Sequence, residues 1–298
     1  GSVLSVVLDT LAYNSHMNAF YLNMVGNENF LSTAVRRNSV VNNAKDLGYT
    51  PRTAISAKAK LDLKFSPNGT PANAIVIPKG FIFGSASGSI VHIFNTIDDY
   101  VANYDSISGK YVITGLPIYE GRRFTHTFQV SANRGIDLVT DVTIDGCPIP
   151  NIGIDSTTMK VFVNVPSEGS EFIQYTLYDN SLVIDGNSRT YFLRENENEL
   201  TTVSFGDGVL GKKPPIGAFI RIEYVVSSGS KANGVKVFQA GQVIPGVTLE
   251  YLNVASVASG GTERESIESI KFNAVNSFES MGRGVTEDDY AFLAKKAY

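Results

Sequence analysis

The sequence contains a single cysteine, Cys147, and no tryptophan. One cysteine excludes an internal disulfide framework and any zinc site made of several thiolates. A catalytic thiol would need a histidine base, and the three histidines lie far apart without the spacing of metal ligands: His16, His92 and His126. We therefore predict no metal site, no cofactor, no catalytic residue and no enzymatic activity.

Long runs of basic or apolar residues are also missing. Lys and Arg number 25 against 29 Asp and Glu, for a net charge of −4, and no more than two basic residues are adjacent. A nucleic-acid-binding surface is normally basic, so this composition predicts no nucleic-acid partner. No stretch approaches the ~18 apolar residues of a membrane span and no signal peptide is visible, which predicts no membrane partner. Because the chain opens with Gly1-Ser2 and ends in a helical pattern, we expect a fragment of a longer intracellular protein.

The first 48 residues carry the period of amphipathic helices. One apolar stripe repeats at spacings of four, three and four residues: Tyr13, Met17, Phe20 and Met24. After a break at Gly26-Asn27, a second stripe runs from Leu31 to Leu47, and Gly48 provides a helix stop. The sequence therefore predicts a helical hairpin, whose stripe packs either on its own domain or on another chain.

Helical periodicity returns near the end of the chain. Thr262-x-x-Glu265 matches a capping box ahead of the segment "SIESIKFNAVNSF". Gly282 and Gly284 then interrupt the pattern, and residues 286–289, "TEDD", predict the start of another helix, because acidic side chains favour helix N-termini.

Between the helical ends the period changes to two. Short runs such as "AKLDLKF", "SIVHIF" and "MKVFVNV" alternate between turns rich in Gly, Pro and Asn. The pattern predicts an α+β protein in which helical ends flank predominantly antiparallel β domains. We expect four segments: a helical segment (1–50), a β-rich domain (51–125), a second β-rich domain (126–235) and a C-terminal α/β assembly domain (236–298).

The stretch "FGDGVLGKKPPIGAFIRIEYVV", residues 205–226, satisfies two nucleotide-binding patterns in part. Both require a helix to begin directly after the glycines. Here Pro214 and Pro215 follow, and proline in a helix interior costs about 3 kcal/mol. The next residues alternate as a strand does. The stretch is therefore predicted to join strand to strand, with glycines at the positive-φ positions of its turn.

This stretch resembles the central signature of baseplate J-like proteins of contractile phage tails. The matching positions are Phe205, Gly206, Asp207, Gly208, Gly211, Pro215, Gly217, Tyr224 and Gly229. Two further segments resemble the same family: "VVNNAKDLGYTPRTAISAKAKLDL" near the start and "SGGTERESIESIKFNAVNSFESMGRGVTEDDYAFLAKKAY" at the end.

The resemblance implies a structural and non-catalytic role. Such proteins form, with other wedge proteins, the inner ring of a tail baseplate, join neighbouring wedges and transmit the change that triggers sheath contraction. It implies a virion protein made in the host cytoplasm, whose partners are a second copy of itself (a homodimer, and a ring in the assembled baseplate) and other wedge proteins. Our hypothesis is that both helical ends are assembly surfaces, with these candidate interface residues: Tyr13, Met17, Phe20, Met24, Phe272 and Phe278.

A second interpretation is a β-rich ligand- or carbohydrate-binding tail or adhesin module. It would use aromatic side chains in turns, for which the candidates are Tyr100, Tyr104, Tyr119 and Tyr178. The absence of tryptophan, a frequent sugar-stacking residue, argues against it.

Overall fold

The computed structural model describes residues 3–87, 90–130, 146–178, 184–196 and 198–280. Three α-helices lie in these ranges: α1 (Val3–Glu28), α2 (Arg37–Asp46) and α3 (Ile267–Ser280). The strands before residue 130 are β1 (Lys58–Pro67), β2 (Ala74–Ile77), β3 (Ile82–Ser87), β4 (Ile90–Asn95), β5 (Tyr100–Asp105), β6 (Lys110–Glu120) and β7 (Arg122–Gln129). The later strands are β8 (Cys147–Pro148), β9 (Ile154–Asn164), β10 (Ile173–Leu177), β11 (Thr190–Glu195), β12 (Thr201–Phe205), β13 (Phe219–Val226), β14 (Gln239–Ala240) and β15 (Val247–Ser259).

The chain has the predicted α+β class: helices near its ends flank antiparallel sheet. Among the strand pairs whose register falls in the described residues, β10 with β11 is parallel and the others are antiparallel. The fold divides into two compact units. Unit 1 comprises Gly1–Arg52, Glu195–Glu199 and Glu265–Tyr298, and unit 2 comprises Thr53–Arg194 and Leu200–Arg264.

Unit 1 contains the helices. The first two helices are separate, but the predicted position of the break is wrong: Gly26 and Asn27 belong to α1, which ends at Glu28, and α2 begins at Arg37. The predicted stop at Gly48 is confirmed: its φ is +77°, and its N–H donates to the Lys45 carbonyl at 2.8 Å. Helices α2 and α3 share a small apolar core made of Ala34, Val40, Val41, Ala44, Ile270 and Ala274.

The predicted capping box is wrong. Thr262 forms an antiparallel β-bridge with Ile55 inside unit 2, and its N–H and C=O both hydrogen-bond to Ile55. Thr262 therefore belongs to the bridge and not to the start of α3. Ser266 begins the helix instead, since its Oγ accepts the N–H of Ser269 at 3.2 Å, as an N-cap side chain does. The predicted helix start at residues 286–289 and the break at Gly282 and Gly284 lie outside the described residues.

Unit 2 contains two sheets. The first has the order β14-β3-β4-β6-β1-β15, with β5 also paired to β6 and β2 paired to β5. The second has the order β7-β13-β9-β10-β11-β12-β8. In β1, the alternation predicted from the sequence places Leu61 and Leu63 in the core and Lys60 and Lys64 outside. The four-segment division of the chain stays a prediction; the first sheet combines strands from two of those segments, because β1 pairs with β15.

Buried carboxylates connect the two sheets of unit 2. Asp155 on β9 is fully buried and accepts the N–H of Ser56, which leads into β1, at 2.8 Å. Glu120, the last residue of β6, accepts the hydroxyls of Ser227 and Ser228, which follow β13, at 2.8 and 2.7 Å. Since an unpaired buried carboxylate is strongly unfavourable, these contacts fix the junction.

Glu223 on β13 is the third carboxylate at this junction. Its oxygens accept hydrogen bonds from Lys79 Nζ at 3.0 and 3.2 Å and from Arg123 Nη2 at 2.6 Å. Burial by itself would raise the pKa of Glu223, but the hydrogen bonds and charges of Lys79 and Arg123 outweigh it and hold that pKa below its ordinary value. The carboxylate is therefore ionised in the folded protein at neutral pH.

Replacing Glu223 with glutamine is expected to destabilise unit 2 by about 2 kcal/mol at neutral pH, because the cations Lys79, Arg123 and Arg221 lose their counter-charge. The folded pKa is the lowered one, so this stabilisation is present above the unfolded pKa of about 4.3 and is lost as the pH falls through the folded value. Urea unfolding of both proteins at a series of pH values, followed by circular dichroism, measures the difference. A difference that stays constant into the acidic range would contradict the ionic explanation.

Candidate assembly surfaces and the signature turn

Helix α1 has a broad apolar surface that the described chain does not cover. None of its 26 residues is buried. Its large apolar side chains that are about half exposed or more are Val3, Leu4, Val6, Val7, Leu8, Leu11, Tyr13, Phe20, Tyr21, Leu22 and Val25. A large exposed apolar surface is typical of an interaction site. The helices in the described residues all lack an apolar stretch of the length that a bilayer span requires.

The predicted stripe lies on this helix. Tyr13 and Phe20 are 65% and 55% exposed, and Met17 and Met24 are half-buried. Of the two possibilities left open by the sequence, packing on its own domain is not seen in the described chain. The apolar surface is also wider than the predicted stripe, because Leu4, Leu8, Leu11 and Leu22 are exposed as well.

Helix α3 has two different faces. Ile270 and Ala274 are fully buried against α2. Phe272, Val275 and Phe278 follow at intervals of three residues and are 67%, 41% and 50% exposed. The two predicted interface phenylalanines therefore lie on the open face of a helix whose other face is fixed in a core.

The buried carboxylate of Glu265 holds α3 in place. It accepts hydrogen bonds from the Tyr49 hydroxyl at 2.9 Å, the Arg52 N–H at 2.9 Å, Ser269 Oγ at 2.8 Å and Asn273 Nδ2 at 2.6 Å. Burial, and then the negative charge of Glu265, raises the pKa of Tyr49. The tyrosine is therefore a permanent hydrogen-bond donor to the carboxylate.

Arg37 connects the same region to the Glu195–Glu199 segment of unit 1. Its Nε and Nη2 donate to the two oxygens of Glu195 at 2.7 and 3.0 Å, and its Nη1 donates to the Glu265 carbonyl at 2.6 Å. A paired, two-pronged contact of this kind is geometrically specific. Sequence reasoning missed it, because the partners are 158 and 228 residues apart.

The signature turn joins β12 to β13, as predicted, and no helix follows Lys212. The two strands belong to one sheet but are not neighbours in it, so the connection is not a hairpin. Asp207 Oδ1 accepts the N–H groups of Leu210 at 2.9 Å and Val209 at 2.8 Å, and these bonds lower the pKa of Asp207. The strand context removes the helix N-terminus on which both nucleotide-binding patterns depend.

Two signature glycines are required by close contacts. A Cβ on Gly206 would lie 2.2 Å from the Leu210 carbonyl oxygen and 2.3 Å from that of Gly211. Gly211 has a φ of +89°, and its N–H donates to the Asp185 carbonyl at 2.9 Å. The turn is therefore closed on itself and fixed to a neighbouring loop.

Three further signature residues also make contacts within the fold. The Phe205 ring contacts Tyr175 edge-on at 5.6 Å, and the N–H of Gly217, at a φ of +86°, donates to Val130. The hydroxyl of buried Tyr224 donates to Asn151 Oδ1, and burial raises the pKa of Tyr224. The exposed apolar side chains at the tip are Val209 and Leu210, at 72% and 57%, which sequence reasoning did not select.

The thiol and the possible metal ligands of the described residues do not form a reactive cluster. Cys147 is buried in β8, and burial raises the pKa of its thiol to about 12, so the nucleophilic thiolate is not formed at neutral pH. Within the described residues, no group of three His, Cys, Asp or Glu side chains could hold a metal ion.

The four candidate sugar-stacking tyrosines are not on turns as the second interpretation expected. Tyr100 and Tyr104 lie in β5 and Tyr119 lies in β6, while Tyr178 directly follows β10. All four are half-buried. Tyr104 packs on Tyr111 at 5.3 Å and Tyr178 on Phe192 at 5.1 Å, so these rings already have aromatic partners.

Comparison with known proteins finds a relative that is similar along nearly the whole chain. The baseplate wedge protein gp6 of Enterobacteria phage T4 is 29% identical over 320 aligned positions, which cover 97% of this chain and 45% of that protein. The chain thus spans less than half the length of this relative. No family model matches the chain, so membership of the baseplate J-like family stays a prediction.

A solved structure of a baseplate is also similar to this chain. It is the cryo-EM structure of the anti-feeding prophage baseplate, six-fold symmetrised, which covers 97% of this chain and 55% of the matched chain. The identity is 12% and the TM-score 0.30, a level that carries no argument about this fold.

Proposed function

We propose that this chain is a structural, non-enzymatic part of a contractile phage tail baseplate, corresponding to the C-terminal half of a large wedge subunit. The observation that carries the proposal is its similarity to a baseplate wedge protein over 97% of its length. In this role the protein resides in the virion tail after synthesis in the host cytoplasm. It links neighbouring wedges through self-association and contacts with other wedge proteins.

The distribution of exposed apolar surface supports an assembly role. A specific interface needs about 800 Å² per partner, or roughly 20 residues on each side. Helix α1, with 26 residues and no buried side chain, is long enough to provide one. The exposed face of α3 provides a second, smaller surface around Phe272 and Phe278.

Several interfaces of moderate affinity would suit a baseplate subunit that must also change its arrangement. A ring closed by many such contacts gains avidity without any single strong one. Interfaces of moderate strength can also repack when domains hinge. We propose that the rearrangement that triggers sheath contraction uses the α1 and α3 surfaces in this way.

We expect the wild-type chain to show the mass of a dimer or larger in light scattering at increasing concentration. Phe20→Asp and Phe272→Asp should each weaken self-association about 100-fold or more, because a charge would be buried in an apolar contact. Asn18→Asp is the matched control, since it adds the same charge to an exposed polar position of α1. The assignment is wrong if both phenylalanine variants assemble like the control, and a strictly monomeric wild type contradicts self-association by this chain alone.

A further inference from the structure

Unit 2 contains an open apolar groove of about 440 Å³ beside β2. Val76, Pro78 and Phe81 line it together with the segment 242–245, which contributes three apolar side chains and one amide. Val76 and Val243 are 50% and 85% exposed, so the groove is open to solvent. Its volume lies within the range of about 300–1,000 Å³ that is usual for binding sites.

The groove adjoins a strand edge with free backbone groups. Among the described residues, β2 pairs with β5 alone, with Ile75 opposite Ala102 and Val76 opposite Val101. The same register places Asn73 opposite Tyr104. The Tyr104 N–H donates to the Asn73 carbonyl at 2.9 Å, so these two residues form a hydrogen-bonded pair of the ladder. Because such pairs alternate along an antiparallel ladder, the N–H and C=O groups of Ala74 and Val76 point away from β5.

This edge lacks the protection found on the long outer strand of the same sheet. Register shifts interrupt β15 against β1 at three places, and the Ala258 backbone pairs with Gly234 and Val235. Bulges and covering loops of this kind prevent strand addition. In contrast, β2 reads Ala-Ile-Val-Ile, without charge or proline, and its register with β5 is regular.

We propose that the β2 edge and its groove bind an extended, uncharged peptide segment of a partner protein, which adds a strand to the sheet. The peptide backbone would pair with Ala74 and Val76, and apolar side chains at alternate positions would enter the groove. Charged side chains would be excluded, because the lining offers them only one amide as a polar partner. This inference does not depend on the proposed baseplate role.

A second copy of this chain fits the edge less well than a peptide does. Two β2 strands paired about a two-fold axis would bring together only four residues from each copy. Such a contact falls far below the roughly 800 Å² per partner of a stable interface. A separate peptide can use the backbone edge and the groove together.

The full chain is first used as the target for selection from a displayed library of random peptides about ten residues long. The selected peptides then serve as probes of the groove. Affinity is then measured by fluorescence anisotropy with the selected peptides on three variants. Val76→Pro removes the outward N–H and leaves the β5 ladder intact, since proline is tolerated at such edge positions. Val243→Asp charges the groove, and Val257→Asp is the matched control, because it adds the same charge to an exposed position of β15.

The expected result is a set of peptides with apolar residues at alternate positions. They should bind about tenfold or more weakly to Val76→Pro and Val243→Asp, and normally to Val257→Asp. Peptides that bind all variants equally, or a selection that yields no binder, would overturn the proposal. Loss of wild-type self-association in Val76→Pro, measured by light scattering, would instead identify a second copy as the occupant and overturn the assignment to a partner peptide.

Discussion

Replacing Glu265 with alanine should unfold the α2–α3 part of unit 1 while the strands of unit 2 stay folded. The carboxylate is 3% exposed and accepts hydrogen bonds from Tyr49, Arg52, Ser269 and Asn273. Removing it leaves these donors unpaired around a cavity. At about 1 kcal/mol or more for each buried unpaired donor, we expect a loss of about 4 kcal/mol.

Hydrogen exchange of the backbone amides measures this loss region by region. In Glu265→Ala, the amides of α3 should exchange far faster, whereas those of β1 and β13 keep their protection. Glu268→Ala is the matched control, because Glu268 is exposed in the first turn of α3 and should contribute only a few tenths of a kcal/mol. Wild-type protection of α3 in Glu265→Ala would show that the carboxylate does not hold the helix.

Replacing Gly206 with alanine is expected to open the signature turn and to destabilise unit 2 by about 3 kcal/mol. The new Cβ would lie 2.2 and 2.3 Å from two carbonyl oxygens of the same turn. Because both atoms belong to the backbone, no side-chain rotation can relieve the clash. The hydrogen bond from the Gly208 N–H to the Gly211 carbonyl, 3.1 Å long, would be lost with the closed shape.

Gly208→Ala distinguishes the effect of a Cβ clash from the strain of a side chain at positive φ. Gly208 has a φ of +97°, but a Cβ there meets nothing within 4 Å. Its replacement should therefore cause only the strain of a positive φ, about 1 kcal/mol. Thermal unfolding of both variants tests the difference, and equal losses in the two would contradict the close contact at Gly206.

Part of this protein could be predicted because the signals are local. The helical period marks α1, α2 and α3, and the alternation in "AKLDLKF" gives the inward and outward faces of β1. The prolines after Lys213 predict that a strand follows the glycine-rich turn. In each case the residues that determine the local structure lie only a few positions apart in the sequence.

Glu265 illustrates what a local pattern misses. Its spacing from Thr262 matches a capping box, but Thr262 pairs with Ile55, more than 200 residues earlier in the sequence. The carboxylate instead accepts donors from Tyr49 and Arg52. For Glu223 a weak signal was present, since a charged residue alternates with Ile222 and Tyr224 on a strand; its partners Lys79 and Arg123 were not visible.

Local sequence patterns were enough to predict the α+β class, the helical ends and the strand-to-strand character of the signature turn, because period, proline and glycine act through the nearby backbone. The folded chain was needed to see that β1 pairs with β15, that buried carboxylates join the two sheets, and that β2 leaves an edge open beside an apolar groove. These features depend on which distant segments meet. Which segments meet depends on the burial of whole faces and on the pairing of buried polar groups. The sequence pattern of one segment does not identify the distant segment that packs against it.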